Sequence, residues 1–338
     1  MDNLTHTLTG LALSQAGLNR KTRFATLALI IGSTLPDIDI VTRLDSSATY
    51  LKYHRGFTHS ILGATILGLL LAGAISVIAR KAAPPKKGPP LVPRWLVAVC
   101  VIATLGHALL DFTNSYGIRP FLPFSGRWYG WDIMFITDPL LLAILIAGFA
   151  LPALFRLISE EVGAARPGYR RGAVLALSGM VMLWGLRDLA HRRVLNELDS
   201  HTYRNQNPVE LGAFPSPGNP FAWTGVVETD EAFHVLEANA LDSDVDVDQA
   251  RVFYKPSLTP PLQAAERSRT AVIFLNFARF PWANVEGSEE GFDVTLRDLR
   301  FISLSTRRQG FVAEVVLDKD LRVLAQSFSF TGRIRRAP

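Results

Sequence analysis

The stretch YHRGFTHSILGATILGLLLAGAISVIA, residues 53–79, joins two kinds of chemistry in one line of sequence. From Ile61 to Ala79 no residue is charged. A helix of that length rises about 28 Å, enough to cross the hydrocarbon core of a bilayer. Immediately before it stand His54, Arg55 and His59. Ionisable groups are costly beside hydrocarbon, so those kept there are expected to serve a function.

Outward from this span, apolar runs occupy Leu4–Leu18, Phe24–Val41, Leu91–Leu110, Ile136–Leu157 and Ala173–Leu186. With Ile61–Ala79 they predict five to six membrane spans. Leu4–Leu18 is the marginal one, because it is short and contains His6; it is expected to span, to re-enter or to pack within the bundle. After Leu195 the texture changes. AWTGVVETD, FHVLEAN, RVFYKP, TAVIFLNFARF, FDVTLRDLRFISL and FVAEVVLDKDLRVLAQSFSF are β-rich runs separated by Gly, Pro and Asp. The expected fold is therefore an α-helical membrane bundle, residues 1–190, followed by a C-terminal β-rich (α+β) soluble domain, residues 191–338.

Charge divides the chain in the same place. Residues 1–189 carry 18 Lys/Arg against 10 Asp/Glu, and residues 190–338 carry 17 against 20. The overall +5 is thus no sign of nucleic-acid binding, and basic residues beside apolar spans fix topology instead. With six crossings, Arg20, Lys21, Arg23, Arg80, Lys81, Lys86, Lys87, Arg94, Arg156, Arg166, Arg170 and Arg171 share one face. Arg43, Lys52, Arg55, Arg119, Arg127, Arg187, Arg192 and Arg193 share the other. Twelve against eight makes the first face cytoplasmic and puts the C-terminal domain outside an inner (plasma) membrane. The N-terminus MDNLTHTLTG has no basic n-region, which argues against a cleaved signal peptide.

The same topology gathers the unusual polar residues at the outer rim. His6 opens the first apolar run, Asp37 and Asp39 follow Pro36 at the end of the second, and His54 and His59 precede the third. His107 and Asp111 close the fourth, and Asp132 and Asp138 precede the fifth. His107 and Asp111 are four residues apart, so they stack on one helix face. Asp37 and Asp39 are expected to lie outside the helix that Pro36 ends. Thr58 is a candidate cap for the helix that His59 opens.

Each residue has an ordinary alternative. His6 could be interfacial, Asp37 could pair with Arg55, Asp138 could cap the fifth span, and Arg55 could hold a lipid phosphate. Taken together they predict a metal centre, with His6, Asp37, Asp39, His54, His59, His107, Asp111 and Asp138 as candidate ligands. The lone Cys100 rules out thiolate sites and intrachain disulfides, so imidazole and carboxylate must serve. That donor set suits a divalent metal, Zn²⁺ first, with Mn or Fe as alternatives.

PDIDI, HRGFTHS and GHALLDFTNSYG resemble the signature of the YdjM-like family of membrane-bound, predicted metal-dependent hydrolases. THTLTG and the TDP before the fifth span fit it too, and the resemblance covers roughly residues 1–190. More distantly, the His-rich site is similar to those of zinc-dependent phospholipase C and P1-type nucleases. The resemblance implies a metal-dependent hydrolase; from the site itself, metal-activated water acting at the outer membrane–water interface on a phosphoester or lipid head group is the expected reaction. Arg55 is then the expected anion clamp, Asp39 a second catalytic group, and Asn114 and Tyr116 substrate-positioning residues. His191, His201 and His234 are read as ordinary histidines. The alternative is a non-enzymatic transporter, or a metal-dependent scaffold whose soluble domain recruits a partner. Transporters usually bind near the midplane, whereas these residues gather at one interface.

The topology has a direct test. A periplasm-active reporter fused after Pro338 should be active, and a cytoplasm-active one should be silent; the reverse pattern would invert the assignment.

Overall fold

Asp2 begins the first helix by accepting hydrogen bonds from the backbone of Leu4 and Thr5. That helix, α1 (Asn3–Ala16), has 14 residues and ends at Gly17, whose φ of 142° closes the last turn. It is too short to cross a bilayer alone. The computed structural model describes residues 1–81, 88–161, 168–302, 304 and 310–331. Lys86, Lys87 and Arg166, assigned above to the cytoplasmic face, lie outside the described residues.

Among the described residues, five segments are long and apolar enough to cross a membrane: Ala25–Leu44, Ile61–Lys81, Pro93–Phe112, Pro139–Ile158 and Arg170–Asp199. The first is a composite. α2 (Ala25–Gly32) stops short of Pro36, and a 3₁₀ helix, Leu35–Leu44, carries the chain on. Asp37 and Asp39 thus leave the α-helix as expected but enter a tighter helix, not a loop. After α3 (Ser47–Tyr53), a short turn leads into α4 (Ile61–Lys81). Its cap is Ser60, whose Oγ accepts from the backbone N–H of Gly63 at 2.9 Å. Thr58 is no cap, because its hydroxyl donates to Asp39 Oδ2 at 3.0 Å. α5 (Pro93–Phe112), α6 (Pro139–Glu161) and α7 (Arg170–Asp199) complete the set.

The chain divides into two units, one of Met1–Asp39, Arg55–Leu189 and Pro217–Pro220, the other of Ile40–His54, Ala190–Ser216 and Phe221–Pro338. In the first, α5 is the most enclosed span, with 50% of its apolar stretch buried against 17% for α6. Its inward residues Leu96, Val99, Cys100 and Ala103 pack on Ala25, Ala28 and Leu29 of α2 and on Ala72 and Ile75 of α4. His107 and Asp111 continue that buried stripe one and two turns further. Helices in lipid gain no hydrophobic drive toward one another, so close backbone approach through small residues holds them together. α6 and α7 meet in this way. A Cβ on Gly172 would stand 2.2 Å from the Gly148 carbonyl oxygen and 2.5 Å from Pro152.

The second unit holds two antiparallel four-stranded meanders. β1 (Glu210–Pro215), β2 (Ala222–Glu228), β3 (Ala232–Asn239) and β4 (Arg251–Tyr254) form one. β5 (Pro281–Gly287), β6 (Gly291–Asp298), β7 (Val312–Asp318) and β8 (Val323–Ser329) form the other. α8 (Pro260–Glu266) and α9 (Arg269–Phe277) lie between them in sequence. Phe214, Val226, Phe233 and Phe253 pack with Phe280, Leu299 and Ile302 in a shared core. TAVIFLNFARF, expected to be extended, is α9. Ser268 caps it, and Thr270, Ala271, Phe274 and Phe277 bury one helical face, so periodicity prevails over the β-branched and aromatic composition.

Gly172→Val should lower the stability of the detergent-solubilised bundle by about 1–3 kcal/mol. Thermal unfolding checks it, and an unchanged melting temperature would contradict the close α6–α7 contact.

Candidate metal centre

Asp111 is the hub of the buried polar residues. It is 1% exposed, and its two oxygens have different neighbours. Oδ1 pairs with Arg55 Nη2 at 2.9 Å, stands 3.3 Å from His6 Nε2, and receives the amino group of Met1. Oδ2 faces His59 Nε2 at 3.2 Å and His107 Nε2 at 3.4 Å, yet has no hydrogen-bond partner of good geometry. Asp37 Oδ1 closes the group, 3.4 Å from His59 Nε2 and 3.5 Å from His107 Nε2.

The imidazoles are oriented from behind. His107 Nδ1 lies 2.7 Å from the carbonyl oxygen of Ser33, to which it donates, leaving the Nε2 lone pair turned inward. His59 Nδ1 lies 3.0 Å from Thr58 Oγ1 and 3.4 Å from Asp39 Oδ2. The two Nε2 atoms stand 3.0 Å apart. With Ser33 holding the Nδ1 proton of a neutral His107, a cation or a proton must separate the facing lone pairs.

The donor set fits a metal. Asp37, His59, His107 and Asp111 each offer a ligand atom to one small volume, and the group could hold a metal ion. Five of the six ligand-to-ligand distances run from 3.0 to 3.5 Å, and all lie within 4.8 Å. Four N/O donors placed tetrahedrally at about 2.0–2.1 Å from an ion stand about 3.3 Å from one another. Asp111 Oδ2, buried and unbonded, is the atom such an ion would satisfy.

The remaining predicted residues take up different positions. Asp39 supports His59, and its Oδ2 also accepts from the backbone N–H of Arg55 at 3.1 Å. His6 is fully buried and stacks on His107 with ring centres 3.8 Å apart, outside the four-residue group. Arg55 is occupied at both ends of its fork, by Asp111 and by Asn114 Oδ1 at 2.8 Å, and lies over the Tyr116 ring. Asn114 and Tyr116 therefore hold Arg55. His54 falls in the second unit, where its ring stacks on Tyr50 at 4.4 Å. Asp138 caps α6 through the N–H groups of Leu140 and Leu141 and pairs with buried Arg187 at 2.7 Å, so its carboxylate is already committed. Asp132 is buried at a left-handed backbone position, φ 59°.

Sequence reasoning missed the Ser33 carbonyl and the Thr58 hydroxyl, the two groups that orient the imidazoles. Backbone carbonyls carry no sequence signal, whereas Thr58, adjacent to His59, was in view and assigned to a cap. In the second unit His191 packs on Trp223, and His234 is buried beside Tyr203. His201 bonds Asp244 at 2.9 Å and the Glu197 carbonyl at 2.9 Å. Glu197, His201 and Asp244 also lie close enough to hold an ion, but this group is partly exposed.

Residues 1–194 match the YdjM inner membrane protein family. The chain belongs to that family. Residues 260–336, containing α8, α9 and β5–β8, match the YfhP C-terminal alpha/beta plait domain. The uncharacterized protein YfhP of Bacillus subtilis (strain 168) is 26% identical over 352 residues, covering 99% of this chain and 95% of its own length. No solved structure matches. The four-residue cluster lies wholly inside the YdjM segment, while β1–β4 fall between the two matched segments.

Burial disfavours a charged His59, but the carboxylates of Asp111, Asp37 and Asp39 outweigh it and push its pKa up to about 10. A metal ligand must be neutral imidazole, so binding displaces that proton. Apparent metal affinity should therefore rise with pH, by up to about tenfold per unit, from near neutrality toward the raised pKa. Competition against a chromophoric chelator in detergent measures it, and a flat profile would show that His59 gives up no proton.

Proposed function

We propose that this protein is a membrane-bound metal-dependent hydrolase that cleaves a phosphoester or lipid-head-group substrate at the outer membrane–water interface. One observation carries the reading: two buried imidazole Nε2 atoms face each other at 3.0 Å beside an orphaned carboxylate oxygen. Zinc is the proposed ion, since two nitrogens and two carboxylate oxygens without thiolate suit it. A divalent ion held there lowers the pKa of a water molecule from about 15.7 toward 7 and so supplies a nucleophile at neutral pH.

The chain's residues then have distinct tasks. His59, His107, Asp37 and Asp111 hold the ion. Asp39 and Thr58 orient His59, and the Ser33 carbonyl orients His107. Arg55 fixes Asp111 so that Oδ2 turns toward the imidazoles, and it partly offsets the negative charge of the carboxylates. Asp37, with 22% of its side chain exposed against 0–1% for the other three, marks the side from which water and substrate enter. An interfacial site of this kind draws its substrate from membrane lipids or from anionic groups beside them.

The proposed side of the membrane follows from the distribution of basic residues. α1 runs between the two faces, since Met1 pairs with Asp111 and the Ala16 carbonyl accepts from Arg170, so every later loop stays where six crossings put it. The cluster and the C-terminal domain then both belong outside the cytoplasm.

Purified protein should contain a divalent metal and hydrolyse a chromogenic phosphodiester, and the His59→Ala, His107→Ala double variant should lose both. Elemental analysis beside the assay decides the matter. Equal metal content in the two proteins would overturn the metal centre, and metal-dependent integrity without hydrolysis of any phosphoester would favour a scaffold.

A further inference from the structure

The loop between Asp39 and Arg55 belongs to a different body from its own ends. Asp39 and Arg55 lie in the membrane unit, but every residue from Ile40 to His54 groups with the C-terminal unit. Within that unit α3 packs against α9 and β8. Ser46 caps α3 through the Thr49 N–H at 3.1 Å, and Leu51 is 1% exposed. Tyr50 sets the edge of its ring against Phe330 with centres 5.6 Å apart. Arg269, on α9, reaches Thr49 Oγ1 at 3.3 Å and Asp45 at 3.9 Å. That pair is mostly exposed and contributes little, so burial of the apolar side of α3 does most of the holding.

The ends of the same loop are clasped at the metal cluster. Asp39 Oδ2 accepts from the Arg55 N–H at 3.1 Å and from Thr58 Oγ1 at 3.0 Å, and stands 3.4 Å from His59 Nδ1. One carboxylate oxygen therefore closes the loop and supports an imidazole. Arg55 has a φ of 55°, a left-handed conformation unfavourable for a residue with a side chain, so its surroundings must impose it. A compact loop with joined ends loses less entropy on closing when its body is already pinned.

We infer that the C-terminal domain is a positioning module for the cluster: by docking α3, with Tyr50 against Phe330 as one of its contacts, it holds the Asp39–Arg55 clasp shut and His59 in register. Tyr50, a few residues before Arg55, and Arg269, distant in sequence on α9, are positioning residues. Any ligand or partner that loosens α3 from α9 and β8 would then loosen the clasp. The chemical consequence rests on reading the cluster as a metal site, whereas the mechanical link does not.

Hydrogen exchange of the full chain in detergent tests that link. Tyr50→Ala should speed exchange at the Arg55 and His59 amides by about tenfold or more and leave the α4 and α5 amides unchanged. Tyr50→Phe, which keeps the ring, should behave as the unsubstituted protein. Arg269→Glu sets a negative charge beside Asp45 at an exposed position, and should move the same amides in the same direction by a smaller factor. Unchanged exchange at Arg55 and His59 in both Tyr50→Ala and Arg269→Glu would overturn the inference, and so would a uniform rise across α4 and α5, the mark of general destabilisation. Zinc titration then separates the two readings. If the unsubstituted protein binds zinc, Tyr50→Ala should bind it more weakly, and equal affinity would refute the influence on the cluster. If the unsubstituted protein takes up no metal, the metal reading fails, and exchange alone decides the role of the loop.

Discussion

Two imidazoles that turn their Nε2 atoms toward each other inside a helical bundle impose a constraint the surroundings must satisfy. His59 and His107 do so at 3.0 Å, with the carboxylates of Asp37 and Asp111 beside them. Neighbouring residues reinforce the arrangement. The Ser33 carbonyl takes the outer nitrogen of His107, Thr58 and Asp39 take that of His59, and Arg55 holds Asp111 by its other oxygen. Positive charge at the centre is the common requirement, and a bound cation meets it without leaving Asp111 Oδ2 unbonded.

Several elements of the bundle bring these groups to one point. α5 supplies His107 and Asp111 from a single buried stripe. Asp37 comes from the 3₁₀ helix after Pro36, and His59 from the turn ahead of α4. Tight turns suit this purpose, because a 3₁₀ segment sets a short carboxylate at a height and angle that a regular α-helix would not reach. Close helix contacts then fix the spacing. A cluster whose ligand atoms must agree to a few tenths of an ångström needs rigid backbone on every side. In a membrane small residues allow that close approach, as Gly32 does against Ala103 and Gly68 against Val101 and Thr104 on α5.

Much of this was legible in the chain. Long apolar runs, Ile61–Ala79 wholly free of charge, announced the spans, and the ionisable residues kept beside them announced the site, because hydrocarbon tolerates neither broken backbone pairing nor stray charge. The family followed from PDIDI, HRGFTHS and GHALLDFTNSYG, and residues 1–194 match it. Elsewhere local composition misled. TAVIFLNFARF looks extended by residue type but folds as α9 because its buried positions recur at helical spacing. Asp138 looked like a ligand, yet it sits at a helix start opposite Arg187, where capping and ion pairing claim the carboxylate.

The sequence by itself determined which side chains could take part, since the cost of burying charge in lipid leaves few positions where a histidine or aspartate is tolerated. Only the tertiary structure decided which of them meet. It joined Asp37, His59, His107 and Asp111, and gave Asp39 and Arg55 supporting places. The physical reason is that linear spacing sets which face of a helix a group occupies, whereas convergence depends on how helices pack and loops close. Those outcomes rest on backbone contacts, such as the Ser33 carbonyl against His107, that no residue type records.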